Sequence, residues 1–520
     1  MASGITFAVD FGRKAAAAAR RSQGQAFRIL LLGDFSARSG RADAGSLDLG
    51  RQRIRKVDVD NFDQVFSAIA PHVRLRMGVA VDSTVDMPLA SLEDFHPDAL
   101  YASVGIFKAL RAVRARLKDS ATFEDAAREL RESRLVSAPA DVAAAATLPV
   151  KVGEEDGATL SRLLGGAAQA TAPAVAAAPS QTPSDPLRAL IRSIVAPHVV
   201  ADAPAHQAQY VAAVDTAIAE QMRAILHHPA FQAVEGPWRA LRWLIAEADI
   251  GDEVEVHLLD ASAHDLHADL ESCGGEIAHS GLYRLLVENG SAAPGGQPWT
   301  YIAGCYELRK QHADIRLLEF LGGVAAQAGG PLVMGATESF AGCDSLADTP
   351  DPRAWQPASP DAEVESAWLA LREAPVARWI GLALPRVLLR MPYGAKTDPI
   401  SAFPFEEIGV SPGHAEFLWG GAAVGCALLA ARSFAASGWD MTPDDERDLE
   451  GLAAYVYVRD GDRELMPAAE AYLGERAVEA LIGAGLIALA SMKNRNSVRV
   501  PRVQSIASPA APLAGAWDVA

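Results

Sequence analysis

The densest group of residues able to hold a metal ion is His264, Asp265, His267, Asp269, Cys273 and His279. His264 and His267 stand three apart on a stretch that reads as a helix, and that spacing puts two imidazoles on one face, as zinc binding requires. The same run is also what a solvated helix face looks like, and Cys273 is followed by the helix stop Gly274-Gly275. No strict zinc signature accompanies it, so the solvated face is the favoured reading and no metal is assigned. Asp34, in LLGDFSARSG, follows a strand and has the position of a phosphate- or metal-binding carboxylate at a strand terminus. No Walker lysine or G-x-G-x-x-G goes with it. Asp10-Phe11-Gly12 matches a kinase triplet but lacks the catalytic and glycine-rich loops that give it meaning. G-x-S-x-G, H-E-x-x-H and S-x-x-K are all missing. No catalytic residue and no cofactor is therefore expected, and the chain is read as a non-enzyme.

Arg386 and Arg390, in LPRVLLRMPYG, flank an apolar run that ends in Pro392-Tyr393. A guanidinium there can fix a loop through several hydrogen bonds, which is favoured over an exposed pair at a strand end. His227-His228 is read as packing around Pro229. Trp238, Trp243, Trp379, Trp419 and Trp439 are expected to be large core residues rather than ligand platforms.

The elements around these residues follow from periodicity. Ile5, Phe7 and Val9 alternate with polar or small residues and predict a short strand arm. FRILLLGDF predicts a strand buried on both faces. Phe62, Val65, Phe66 and Ile69 recur at helical spacing, with Asp60 or Asn61 to cap the first turn and Pro71 to close it. HPDALYASVGIFKALRAVRARLKD predicts one amphipathic helix carrying Leu100, Val104, Phe107, Leu110 and Leu117. From Ser137 to Pro186 the chain is mostly Ala, Pro, Gly, Ser and Thr, too poor in large apolar residues to offset ordering entropy, and predicts a linker. Leu160, Leu163 and Leu164 within it fit either a short helix that folds on a partner or, preferably, an incidental turn. Beyond Pro186, helices are expected to break at Pro229 and at Gly236-Pro237. EVEVHLLDAS, WTYIAGCYEL, PLVMGATESF and WIGLALPRVLLRMPY are strands alternating with helices, which implies parallel crossover units. GLIALASMKNRNSVRVPRVQSIA predicts a hairpin turning at Asn494 to Asn496, with Val498, Val500 and Val503 on the return strand.

The 520 residues are half hydrophobic, enough for two or three cores at roughly 150 residues per domain. A formal charge of −18 argues against nucleic acid, whose binding needs clustered Lys and Arg. Four cysteines without a CxxC pair suit a reducing compartment. No signal peptide is expected in MASGITFAVDFGRK, and no apolar run reaches the ~20 residues of a membrane span. The cytoplasm is the expected location, without direct membrane contact.

The stretch Phe27 to Leu117, through FRILLLGDFSAR, RKVDVDNFDQVFSAIAP and LEDFHPDAL, resembles the small subunit of the type VI secretion contractile sheath. The stretch Ala219 to Ser505, through EQMRAILHHPAFQAVEGPWRALRWLI, LPRVLLRMPYG and EFLWGGAAVGCALLAARSFAASGW, resembles its large subunit. Asp34, Trp238, Arg386, Arg390, Pro392, Tyr393 and Trp419 lie in those matching segments as structural motif residues. The resemblance implies two α/β sheath-type domains, over 1–136 and 187–520, joined by the linker 137–186. It also implies that the pair stacks helically around an inner tube, locks through strands exchanged between neighbours, contracts to drive the tube out of the cell, and is recycled by an AAA+ unfoldase. Ile5, Phe7, Val9, Val498, Val500 and Val503 are the inter-subunit strand candidates, and Leu160, Leu163 and Leu164 a weak partner-helix candidate. Partners are then copies of the chain or other sheath subunits, the tube and the baseplate. Two departures stand beside this: the subunits are fused, and the family's large subunit ordinarily continues beyond the QSIA region, so a shortened large subunit is expected. Two other readings remain, a non-contractile cap or adaptor and an α/β enzyme with a divergent site.

Overall fold

The computed structural model describes residues 25–41, 45–76, 84–137, 194–195, 198, 206–248, 251, 253–356, 358–409, 413–459 and 462–518. The strand arm with Ile5, Phe7 and Val9, the linker from residue 138 on, and Leu160, Leu163 and Leu164 lie outside them. The chain is α/β and divides into two compact units, one of residues 1–80, 84–108 and 218–520, the other of 81–83 and 109–217. Each unit takes chain from both the front and the rear stretch.

The larger unit is built on a seven-stranded sheet. FRILLLG forms β1 (Phe27–Gly33), buried at every residue but Arg28. It is followed by β2 (Arg55–Val57), α1 (Phe62–Ile69), the hairpin β3 (His72–Arg76) and β4 (Thr84–Pro88), and then α2 (Pro97–Ser103) and the start of α3 (Gly105–Lys118). The front stretch thus supplies one long strand and one short one. The rear stretch supplies the other five: β5 (Val254–Asp260), β6 (Tyr301–Leu308), β7 (Leu332–Ala336), β8 (Ile380–Leu384) and β14 (Ile487–Ala488). The order is β14-β8-β7-β6-β1-β5-β2, so β1 lies inside the rear stretch's sheet. Phe27↔Val254 through Gly33↔Asp260 run parallel on one edge of β1, and Ile29↔Tyr301 through Leu32↔Gly304 on the other. Only β2 is antiparallel in this sheet.

Helices cover both faces, as parallel strands require. Leu30 and Leu32 of β1 share a core with α7 (Ala263–Ser272), α8 (His312–Ala328), α9 (Ala362–Glu373) and α11 (Glu475–Gly483). Phe27 faces the other way, with its ring 5.1 Å from Phe434 of α10 (Ala422–Ser437), and α6 (Pro229–Glu247) packs on α10. Among the described residues, Ala422–Asp440 is long and apolar enough to cross a membrane, and 67% of its most apolar window is buried inside the protein, as befits a core helix. Downstream, β12 (Val456–Arg459) and β13 (Asp462–Leu465) pair as a separate antiparallel hairpin. The strands β15 (Ala490–Ser491) and β16 (Val498–Arg499) form the expected hairpin, with Asn494 in the left-handed region, and β11 (Asp448–Leu449) pairs with the far edge of β16.

Three local expectations change. Residues 97–118 form two helices, because Val104 adopts an extended conformation that ends α2 before α3 begins. Asn61 occupies the N-cap of α1 without capping it by its side chain; instead Asp58 accepts the backbone N–H of Asp60 and Asn61 at 3.0 and 2.9 Å. Finally, α6 runs unbroken through Pro237. The cost of a proline there, about 3 kcal/mol, is set against a buried stripe of Phe231, Val234, Trp238, Leu241 and Leu244 that only a continuous helix can form.

The smaller unit is helical: the end of α3, α4 (Phe123–Ser137) and the start of α5 (Gln207–Leu226). Phe123 meets Tyr210 edge-on at 5.9 Å, Arg114 forks onto Asp215, and the Gln207 amide donates to the carbonyls of Leu117 and Lys118 at 2.8 Å.

Because β1 is paired on both edges, a chain carrying a protease site inserted after Val175 should, once cut, still elute from a size-exclusion column as one species of the intact mass. Two separated fragments would show that the ladder does not hold the halves. Leu31→Ala should cost about 2–5 kcal/mol, read from the denaturant midpoint.

Candidate functional site

The first contact surface is aromatic. Trp238 of α6 donates its indole N–H to the carbonyl of Phe35 at 2.9 Å, and its ring lies 5.1 Å from Phe35, 5.7 Å from Phe62 and 4.3 Å from Phe66. Phe95 extends the cluster to Phe231 at 5.4 Å. Helices α2 and α6 begin alike. His96 precedes Pro97 and His228 precedes Pro229, and each imidazole Nδ1 accepts the N–H two residues on at 3.1 Å. His228 is thus a helix cap, and burial lowers its pKa. Asp98 then accepts from the backbone and hydroxyl of Ser401 and the backbone of Ala402, at 3.0, 2.7 and 2.9 Å.

The acidic residues read as a solvated helix face are in fact buried caps. Asp265 closes a capping box with Ser262 and accepts the N–H of Leu47 at 2.8 Å, and Asp269 accepts from Gly281 and Leu282 at 2.7 and 2.9 Å. The run looks solvated in sequence because the backbone these carboxylates serve comes from other loops. His264 and His279 are exposed, whereas His267 is half-buried, 3.9 Å from Asp314, and the Cys273 thiol donates to Leu270. Among the described residues no three such side chains come close enough to share an ion. Asp34 likewise orders its own turn, accepting from Arg38 and Ser39 at 2.7 Å each.

The second surface is a buried charge network. Arg390 donates to Glu235 at 2.8 Å and by two parallel bonds to Glu407 at 2.7 and 2.9 Å, and it lies 4.3 Å from the centre of the Tyr393 ring. Arg239 joins Glu235 at 2.6 Å and the Tyr393 hydroxyl at 2.8 Å, while the Tyr393 N–H donates to Glu407 at 2.7 Å. Pro392 sets the turn, its carbonyl accepting the Thr397 hydroxyl. Burial alone would lower the pKa of Arg390 and raise that of Glu407. Their mutual attraction wins, so Arg390 is held well above its ordinary value and Glu407 is brought down to about 2. Arg386 grips Glu470 with its backbone N–H at 2.9 Å and its guanidinium Nε at 3.0 Å, and His414 meets the same carboxylate at 3.0 Å.

The remaining motif residues have definite places. Trp419 is buried in β10 (Trp419–Gly420), opposite Leu388 of β9 (Val387–Leu388), and donates to the His414 carbonyl at 3.0 Å. Trp243, Trp379 and Trp439 are only half-buried rather than core, Trp243 with its ring against Gly425 of α10 and Trp439 beside Phe27 and Phe434. Val498, Val500 and Val503 are buried, and their strand is engaged within the chain: β16 is paired on both edges, the Val500 N–H donates to Arg447, and that of Val503 to Asp444. Spacing alone does not point to Glu235, Glu407, Glu470, Arg239 or Asp98. The available signal is an acid inside an apolar window, AVEGPW and FPFEEIG.

Arg390→Met leaves Glu407 buried without its guanidinium and Glu235 with Arg239 alone, and should cost about 3–5 kcal/mol; adding Glu407→Gln should recover much of it. Because Glu407 sits below its ordinary value of 4.5 when folded, its stabilisation is present above that value and is lost as pH falls toward about 2. Denaturant midpoints across that window should flatten in Glu407→Gln.

Residues 208–507 match the family described as "EvpB/VC_A0108, tail sheath N-terminal domain", and residues 13–144 the one described as "Type VI secretion system, VipA, VC_A0107 or Hcp2". Over 305 residues the chain is 28% identical to the "Type VI secretion system sheath protein TssC1" of Pseudomonas aeruginosa strain PAO1, a match that takes in 58% of this chain and 61% of that protein. The chain thus spans about three fifths of that relative's length. The tail-sheath match covers more than half of the sequence and the VipA match contains the very strand that the tail-sheath region clasps, so this chain belongs to the type VI secretion sheath family, with a small-subunit segment and a large-subunit segment on one polypeptide.

Proposed function

We propose that the protein is a structural, non-enzymatic subunit of a cytoplasmic type VI secretion sheath, and that one folded chain does the work of a small-subunit and large-subunit pair. The observation that carries this reading is β1, a strand of the VipA-matching segment held between β5 and β6 of the tail-sheath segment. Copies stack head to tail around an inner tube, since a heterologous contact that does not close generates a helix. Neighbours join by strand addition, in which backbone bonds give strength and direction. The arm with Ile5, Phe7 and Val9 is the donor. Contraction, with a baseplate as a further partner, is a switch between two packings of the same contacts. An AAA+ unfoldase that recycles the contracted form completes the set of partners.

Negative-stain microscopy of the purified protein tests this, alone and with the tube protein. Tubes or rings are expected; particles that stay single but decorate one end of a sheath would make it a cap or adaptor, and particles that bind neither would remove it from the sheath. Phe7→Pro removes a backbone donor from the arm and should abolish assembly while leaving the melting temperature unchanged. Assembly at the normal level would rule out the arm as connector.

A further inference from the structure

The edge strand β2 is held to β5 by a charge cluster that takes no part in the proposed assembly. β2 is three residues long and pairs antiparallel with β5, as Arg55↔Leu258, Lys56↔His257 and Val57↔Val256. On the other edge of β5, Arg28 of β1 stands opposite Glu255. Glu255 and His257 are two apart on one strand, so these four side chains share one face of the sheet. A single carboxylate serves the other three: Glu255 meets Lys56 at 2.8 Å, His257 Nε2 at 3.1 Å and Arg28 at 3.4 Å.

Two of those partners are fixed in place. The Arg28 guanidinium lies 4.1 Å from the centre of the Trp299 ring and donates to the Gln297 carbonyl at 2.6 Å, and the His257 ring meets Trp299 edge-on at 5.1 Å. His257 is buried, whereas 46% of the Lys56 side chain is in solvent. Lys56 is therefore the member of the cluster that can leave. With His257 neutral, two cations face one carboxylate; a proton on His257 makes three. Like charges directly opposite each other on paired strands repel, and Lys56 is the residue directly opposite His257. Burial lowers the pKa of His257 from its ordinary 6.5, and Arg28 and Lys56 push the same way against the pull of Glu255. An unpaired β2 leaves that imidazole closer to its ordinary value, so pairing is at full strength above 6.5 and weakens as pH falls below it.

We propose that β2 is an acid-released cover: a proton on His257 drives Lys56 away, unpairs β2 and bares the outer edge of β5, while β1 stays seated between β5 and β6.

Hydrogen exchange read by mass spectrometry on the full chain, at about pH 7.5 and about pH 5 with intrinsic rates corrected for, tests it. Protection of the peptide carrying β2 should fall about tenfold in acid, while that of the peptide carrying β1 holds. His257→Gln keeps a donor for Glu255 but cannot take up a proton, so its β2 should be equally protected at both values. Lys56→Gln leaves the buried imidazole untouched and removes the charge opposite it, so most of the acid loss should vanish there too. Equal protection of β2 at both values in the unaltered protein, a loss that β1 shares, or an undiminished loss in either variant would each overturn the proposal.

Discussion

Everything in the larger unit depends on the double ladder of one strand. Phe27–Gly33 is apolar on both faces and paired on both edges, so outside the sheet it would leave its backbone donors and acceptors unmatched and its leucines in water. The rear stretch is in the same position. Without β1, β5 and β6 would face each other across a gap one strand wide, each with an open parallel edge, the kind of surface that invites wrong pairing. Neither stretch can reach a low free energy alone. The sheet with β1 in place is the smallest unit in which every central strand has both neighbours.

A second constraint comes from α6, which links the two contact surfaces. One side of it carries Phe231 and Trp238 into the aromatic cluster with the front stretch, and another carries Glu235 and Arg239 into the network around Arg390. The first is ordinary apolar burial. The second gains little net stability, since desolvating four charges costs about what their attraction returns. Its contribution is geometric: two parallel bonds from a planar guanidinium fix the path of the Met391 to Tyr393 turn relative to the helix, which a lysine's single point charge would not. A helix that must register with both explains why α6 stays continuous at Pro237, where local rules would break it.

How much of this was legible depends on range. The strand at FRILLLG, the alternating strands and helices of the rear, and the hairpin turn at Asn494 announce themselves through local periodicity and turn chemistry, and the guanidinium at Arg390 through its place in an apolar run. What the sequence hides is anything whose partner is far along the chain. Asp265 reads as surface because its partner Leu47 is 218 residues away, and Glu235 is 155 residues from Arg390. The front and rear stretches read as separate domains for the same reason: an apolar strand states that it will be buried but not between which neighbours.

The placement of β1 also bears on how copies of the chain can meet. With the centre of the sheet filled, only two edges remain, and both are blunted. At one end β2 is three residues long, antiparallel, and carries Arg55 and Lys56, the latter tied to Glu255 at 2.8 Å; at the other β14 is two residues long and fully buried. Short, charged or covered edges are how sheets avoid joining end to end. Growth by extending the main sheet is therefore disfavoured. A strand-mediated link between copies has to come from a segment outside this sheet, so that joining or parting copies leaves the double ladder of β1 undisturbed.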